Sequence, residues 1–215
     1  MNFLSHYYYD KKDDPYFNLG LILPDLLRNF VPGTKIAVEK RDHTLVEAKS
    51  LKNGCQTHVS SDEKFHDWVV FKELMEKVTN LIRSSRHPIA RDFFISHIFV
   101  ELLLDRQLLL ANPDLASQLY RDFEQVDSQA LKQFLGSYDF HKFEQFDRGF
   151  ERFMDVRYLE HYKDPQIILY STQRICTKMR LPTFSKGQKN VLIHIIDALD
   201  VNIADATVQL EDLLE

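Results

Sequence analysis

Apolar residues recur along this chain at three- and four-residue steps, the spacing that lines one face of an α-helix. Between Tyr16 and Phe30 the series is Phe17, Leu19, Leu21, Ile22, Leu26, Leu27 and Phe30. Pro24 falls inside it. The pattern therefore predicts a helix kinked at that point, or one that begins near Pro24 with Asp25 in its first turn. Further helices are expected over residues 51–68, 71–83, 89–110, 114–126, 127–135, 139–160, 164–180 and 184–199. The stretch 89–110 is apolar nearly all round, which marks a central helix. Asn112, ahead of Pro113 and Asp114, reads as an N-cap for the helix that follows. Residues 34–53 are charged and aperiodic and read as a loop with a short helix, within a segment 29–53 that reads as a loop insertion. The acidic tail 208–215 is expected to fray. With no internal repeat, low-complexity linker or boundary, the expectation is one all-α domain over residues 1–215, a helical bundle.

Composition narrows this picture. Six Gly and seven Pro are too few for a turn-rich β-sandwich. No run approaches the roughly 20 apolar residues that cross a bilayer, so no membrane span is expected. Met1-Asn2-Phe3-Leu4-Ser5-His6 lacks the basic start of a signal peptide. Cys55 and Cys176 have no metal-type spacing, and a long chain with so few cysteines reads as reduced and cytoplasmic. A net charge of -5 argues against non-specific nucleic-acid binding, which needs concentrated Lys and Arg. Gly-rich phosphate loops, nucleophile elbows and Cys-x-x-Cys pairs are all missing.

Three constellations carry candidate chemistry. His58, Asp62 and His66 follow one another at four-residue intervals, so a helix stacks them along one face. His97, Glu101 and Asp105 repeat that spacing on the apolar central helix. The third is His6 near the start, with Asp25 in the next helix. Two helices that each offer a His and a carboxylate one turn apart suit a divalent metal buried in a bundle. Each constellation has a plainer reading as well. A His four residues from an acid is a common surface pair. His97 and Glu101 could form a buried hydrogen-bonded pair, and Asp25 could simply face a helix dipole.

The same residues carry a family resemblance. Met1-Asn2-Phe3-Leu4-Ser5-His6 resembles the Asn-Phe-Leu-Ala-His opening of acyl carrier protein phosphodiesterases. Gly20 to Arg28 resembles that family's Gly-x4-Asp-x2-basic segment, and Gly54 to Asp62 its Gly-x3-His-x3-Asp element. His97 falls on the His of its apolar central helix. Tyr158 to Asp164 resembles its aromatic-Leu-x-x-Tyr-basic-Asp segment. The resemblance spans residues 1–180 in order. It implies a fold related to the HD-type metal phosphohydrolases and cleavage of the phosphodiester that joins 4′-phosphopantetheine to a carrier-protein serine. It also implies a divalent cation, manganese or magnesium, surrounded by His6, Asp25, His58, Asp62 and His97. Asp62 would also take part in catalysis, Glu101 would orient His97 or a water, and Arg28 would contact the phosphate.

The chain departs from the family pattern at three places. Val59 replaces an Arg, Phe65-His66 replaces Thr-Asp, and Ser96 replaces an acid beside the central His. These departures keep two other readings open: a phosphohydrolase of the same fold acting on a small phosphate ester or nucleotide, and a non-catalytic helical binding protein. An acyl carrier protein is the expected partner in the first reading. It is acidic, so one of two basic clusters, Lys35, Lys40 and Arg41 or Lys178, Arg180, Lys186 and Lys189, would dock it.

Overall fold

The computed structural model describes residues 1–214, the side chain of Lys40 excepted. Among the described residues there are ten α-helices, two short 3-10 turns and no strand. In chain order the helices are α1 (Phe3–Asp10), α2 (Pro15–Phe30), α3 (Val46–Asp67), α4 (Val69–Ser84), α5 (Asp92–Ala111), α6 (Leu115–Glu124), α7 (Ser128–Gly136), α8 (Phe143–Val156), α9 (Pro165–Lys178) and α10 (Lys186–Leu214). The all-α expectation holds. No helix is long and apolar enough to cross a membrane.

Where the sequence showed no boundary, the chain divides into two compact units, each assembled from separate stretches. One is built around α2 and comprises Phe3–Glu63 and Asp114–Glu160. The other is built around α5 and comprises Met1–Asn2, Lys64–Pro113 and the chain from His161 onward. Because neither unit is continuous, no shift in composition along the chain marks them.

In the α2 unit, Asp14 caps α2 by accepting from the backbone N–H groups of Tyr16 and Phe17, with Pro15 at the first helical position. The helix runs on through Pro24 rather than starting there. Its Leu19, Leu21, Ile22, Leu23 and Leu26 are fully buried. The turn before it is pinned by Asn18, whose side chain bonds both the N–H and the carbonyl of Lys12. Asp122 of α6 then accepts from both Tyr7 of α1 and Asn18 of α2. That carboxylate ties α1, α2 and α6 together, and α1 packs on α2 and α6. The periodicity did not announce α1. Phe3, Leu4, Ser5, His6 and Tyr7 are all buried, so this helix has no polar face to display a pattern.

The α5 unit has the expected apolar helix at its centre, packed against α4, α9 and α10. Asn112 closes α5 instead of opening α6. Its backbone and side-chain N–H groups both donate to the Leu108 carbonyl. The segment 29–53 is only partly loop, because α3 begins at Val46. The tail does not fray as expected: α10 continues to Leu214, with Ala206 and Leu210 buried. Both cysteines are buried, and burial pushes the Cys176 thiol up to about 11 and the Cys55 thiol higher still. Neither is a thiolate at neutral pH.

Candidate metal centre

Two glycines bring the site in the α2 unit together. Gly20 on α2 and Gly54 on α3 face each other so closely that a methyl group on either would collide with backbone of the other helix. This crossing lets His58, one turn beyond Gly54, reach across to α2. Its Nδ1 donates to the Leu21 carbonyl at 2.8 Å, a buried bond. A carbonyl can only accept, so the proton sits on Nδ1 and the Nε2 lone pair of His58 is left for another partner. Asp25 lies one turn past Leu21 on the same helix. On the other flank, Ser61 of α3 donates to Asp10 at the end of α1, at 2.8 Å. That bond holds α1 along α3 and sets His6 against His58, with ring centroids 4.0 Å apart.

Candidate ligand atoms of His6, Asp25 and His58 all lie within 4.8 Å of one another. Asp62 joins from the next turn of α3, its Oδ1 3.7 Å from His6 Nε2. Both ring nitrogens of His6 are buried and neither makes a hydrogen bond. The 3.7 Å approach of Asp62 is too long to count as one. Burial first, and then the neighbouring His58, holds the His6 imidazole well below its ordinary value of 6.5, so it is neutral. Leaving a buried polar group unmade costs about 1–3 kcal/mol. A cation at the lone pair of His6 would offset that cost. The two imidazoles and two carboxylates make a mixed nitrogen–oxygen donor set for one divalent ion, and its two carboxylates suit manganese or magnesium. Arg28 sits at the rim, its Nη1 3.4 Å from Asp25 Oδ1 and its side chain 68% exposed.

His97 does not join this group. It lies in the α5 unit, in a second cluster with His66 and Glu101, whose candidate ligand atoms also fall within 4.8 Å of one another. His97 Nε2 is 3.2 Å from His66 Nε2 and 3.3 Å from Glu101 Oε1. Glu101 therefore pairs with His97 within this second cluster of the α5 unit. Burial works to raise the Glu101 carboxyl, yet the Met1 amino group and the neighbouring His66 and His97 imidazoles outweigh it and hold the carboxyl far below the usual range. Asp105, one turn on, is not part of either cluster. It accepts from Asn2 at 2.8 Å, and its charge adds to burial in raising the Tyr162 phenol.

Spacing had picked out His58 with Asp62, and His6 with Asp25, as separate constellations; the resemblance implied that they meet, with His97 among them and Arg28 beside the phosphate. His66 had been marked only as a third step on the α3 face and as a departure from the family pattern. No protein family, curated protein or solved structure matches the chain.

Proposed function

We propose that the chain is a metal-dependent phosphodiesterase that hydrolyses the 4′-phosphopantetheine–serine phosphodiester of an acyl carrier protein. The observation that carries this reading is His6: a fully buried, neutral imidazole without a hydrogen bond, set among Asp25, His58 and Asp62. The ordered resemblance over residues 1–180 selects the substrate class.

His6, Asp25, His58 and Asp62 would hold the cation. Manganese or magnesium bound there would supply Lewis acidity to a phosphoryl oxygen. The remaining tasks belong to the chain. Leu21, through its carbonyl, fixes the tautomer and direction of the His58 ring. Asp62 is 32% exposed, so its carboxylate reaches both the buried imidazole and solvent and can take the proton of the attacking water. The water oxygen bonds to phosphorus as the bond from phosphorus to the serine oxygen breaks, and the serine oxygen takes up a proton from solvent. Arg28, free to extend into solvent, pairs with the non-bridging oxygens. An acidic carrier protein would dock on one of the exposed basic clusters, Lys35 and Arg41 in the α2 unit or Lys178, Arg180, Lys186 and Lys189 in the α5 unit.

The test is release of 4′-phosphopantetheine from loaded carrier protein, followed by mass spectrometry. A small phosphodiester and a nucleotide panel run beside it. The reading predicts release that requires added Mn2+ and falls by about 100-fold or more in His6→Asn, since disturbing even the partners of ligands costs 10–100-fold. Turnover of the small esters alone would replace the carrier-protein substrate with a small-molecule one. Inactivity toward every phosphodiester with manganese present would end the enzymatic reading.

A further inference from the structure

The second cluster, in the α5 unit, has a geometry of its own. His66 Nε2, His97 Nε2 and Glu101 Oε1 form a triangle with edges of 3.2, 3.3 and 3.6 Å. Charge-assisted hydrogen bonds between a histidine and a carboxylate run at about 2.7–2.9 Å, and a contact of 3.6 Å is not one. Protons also fill this triangle poorly. A proton on one Nε2 serves one edge, and protons on both would set two N–H groups against each other across the 3.2 Å edge. A tetrahedral zinc ion, with ligand bonds of about 2.0–2.1 Å, spaces its ligands about 3.3 Å apart. All three edges agree with that spacing. The point equidistant from the three atoms lies about 2 Å from each, which is a zinc bond length.

The three side chains are also held in place. His97 and Glu101 are one turn apart on α5. His66 stacks on His97, with ring centroids 5.0 Å apart and planes 22° from parallel. Phe71 stands edge-on to both imidazoles, at 5.6 and 5.2 Å. Asn2 bonds Asp105 on α5, which brings the Met1 nitrogen to 3.3 Å from Glu101 Oε1. His66 and His97 are each about a third exposed, so the cluster opens to solvent.

We infer that His66, His97 and Glu101 form a second metal site, of the His2Glu type, that takes zinc through three protein ligands and leaves a fourth position open to water or an anion. This donor set differs from that of the His6 group by having one carboxylate instead of two. The softer, more nitrogen-rich set favours zinc, and the two-carboxylate set favours manganese or magnesium. An open fourth position is the arrangement of zinc sites that bind and polarise an exchangeable ligand, rather than of closed structural ones. The inference stands whether or not the His6 group hydrolyses a phosphodiester, because the two clusters share no residue.

The experiment loads the metal-stripped full chain with Co2+ as a spectroscopic stand-in for zinc, then displaces it with Zn2+. Wild type, His97→Asn and Glu101→Gln are compared with His6→Asn, and thermal unfolding of each metal-free variant confirms folding. The expected result is the intense visible absorption of a tetrahedral Co2+ centre in wild type and in His6→Asn. His97→Asn should lose it, with zinc affinity lowered about 100-fold or more. Glu101→Gln is the safeguard if His97→Asn does not fold, since it preserves shape and removes only the charge; its zinc affinity should also fall. Absence of a tetrahedral band from folded wild type would overturn the inference. So would a band that persists unchanged in folded His97→Asn and Glu101→Gln.

Discussion

A neutral imidazole carries one N–H and one lone pair, and at His6 neither has a hydrogen-bonding partner among the described residues. That has a measurable consequence when no metal is bound. Burial and the nearby His58 depress the His6 value below 6.5 in the folded chain, while the unfolded chain keeps the ordinary value. Above pH 6.5 neither state holds the proton. As pH falls below 6.5, the unfolded chain takes up a proton that the folded chain refuses, so folding loses stability. The slope contributed by this one group approaches about 1.4 kcal/mol per pH unit. Urea unfolding of metal-free protein at pH 7.5 and 5.5 should therefore show a larger loss for wild type than for His6→Asn, by about 1 kcal/mol. Equal losses would mean that residue 6 is not a desolvated imidazole. Asp25, His58 and Asp62 surround this residue from two other helices, and each had been legible as a candidate from spacing or resemblance. What spacing could not supply was the orphaned state of His6, which depends on the burial of both ring nitrogens.

The glycine crossing of α2 and α3 is what makes those residues meet. Gly20 and Gly54 permit backbone contact that no larger residue allows, and the His58 bond to the Leu21 carbonyl depends on it. Gly54→Ala should cost about 1–3 kcal/mol, the usual range for overpacking, and should weaken metal binding by the same displacement of α3. Denaturant melts and metal titration of that variant check both effects; unchanged stability would show that the two helices have room to separate. Most helices were readable from their apolar period, α5 most clearly. The misses have physical causes. Helix α1 is too short and too thoroughly buried to show a polar face. Asn112 resembles an N-cap in sequence because Pro113 follows it, yet its amide turns back to Leu108. The α10 tail is acidic, but buried Ala206 and Leu210 give its last turns an anchor that charge content conceals. His97 shares its spacing with a ligand pair, and sequence spacing along α5 says nothing about which partner helix it meets. The structure gives it His66.

Over the whole chain, each compact unit carries one cluster of metal-type ligands, and the two differ in composition: His6, Asp25, His58 and Asp62 in the α2 unit, His66, His97 and Glu101 in the α5 unit. The chain as a whole is acidic, at -5, so the proposed recognition of an acidic carrier protein would fall to local clusters of Lys and Arg rather than to net charge. Raised salt should accordingly weaken carrier-protein hydrolysis while leaving a small neutral-leaving-group phosphodiester nearly unaffected. The enzymatic expectations depend on the His6 group holding a divalent cation. Mn2+ binding followed by electron paramagnetic resonance of the free ion tests that directly, with wild type compared against Asp25→Asn. The account predicts one equivalent of manganese bound by wild type and not by Asp25→Asn. Wild type that leaves all the manganese free, or an Asp25→Asn variant that binds it as wild type does, would contradict it.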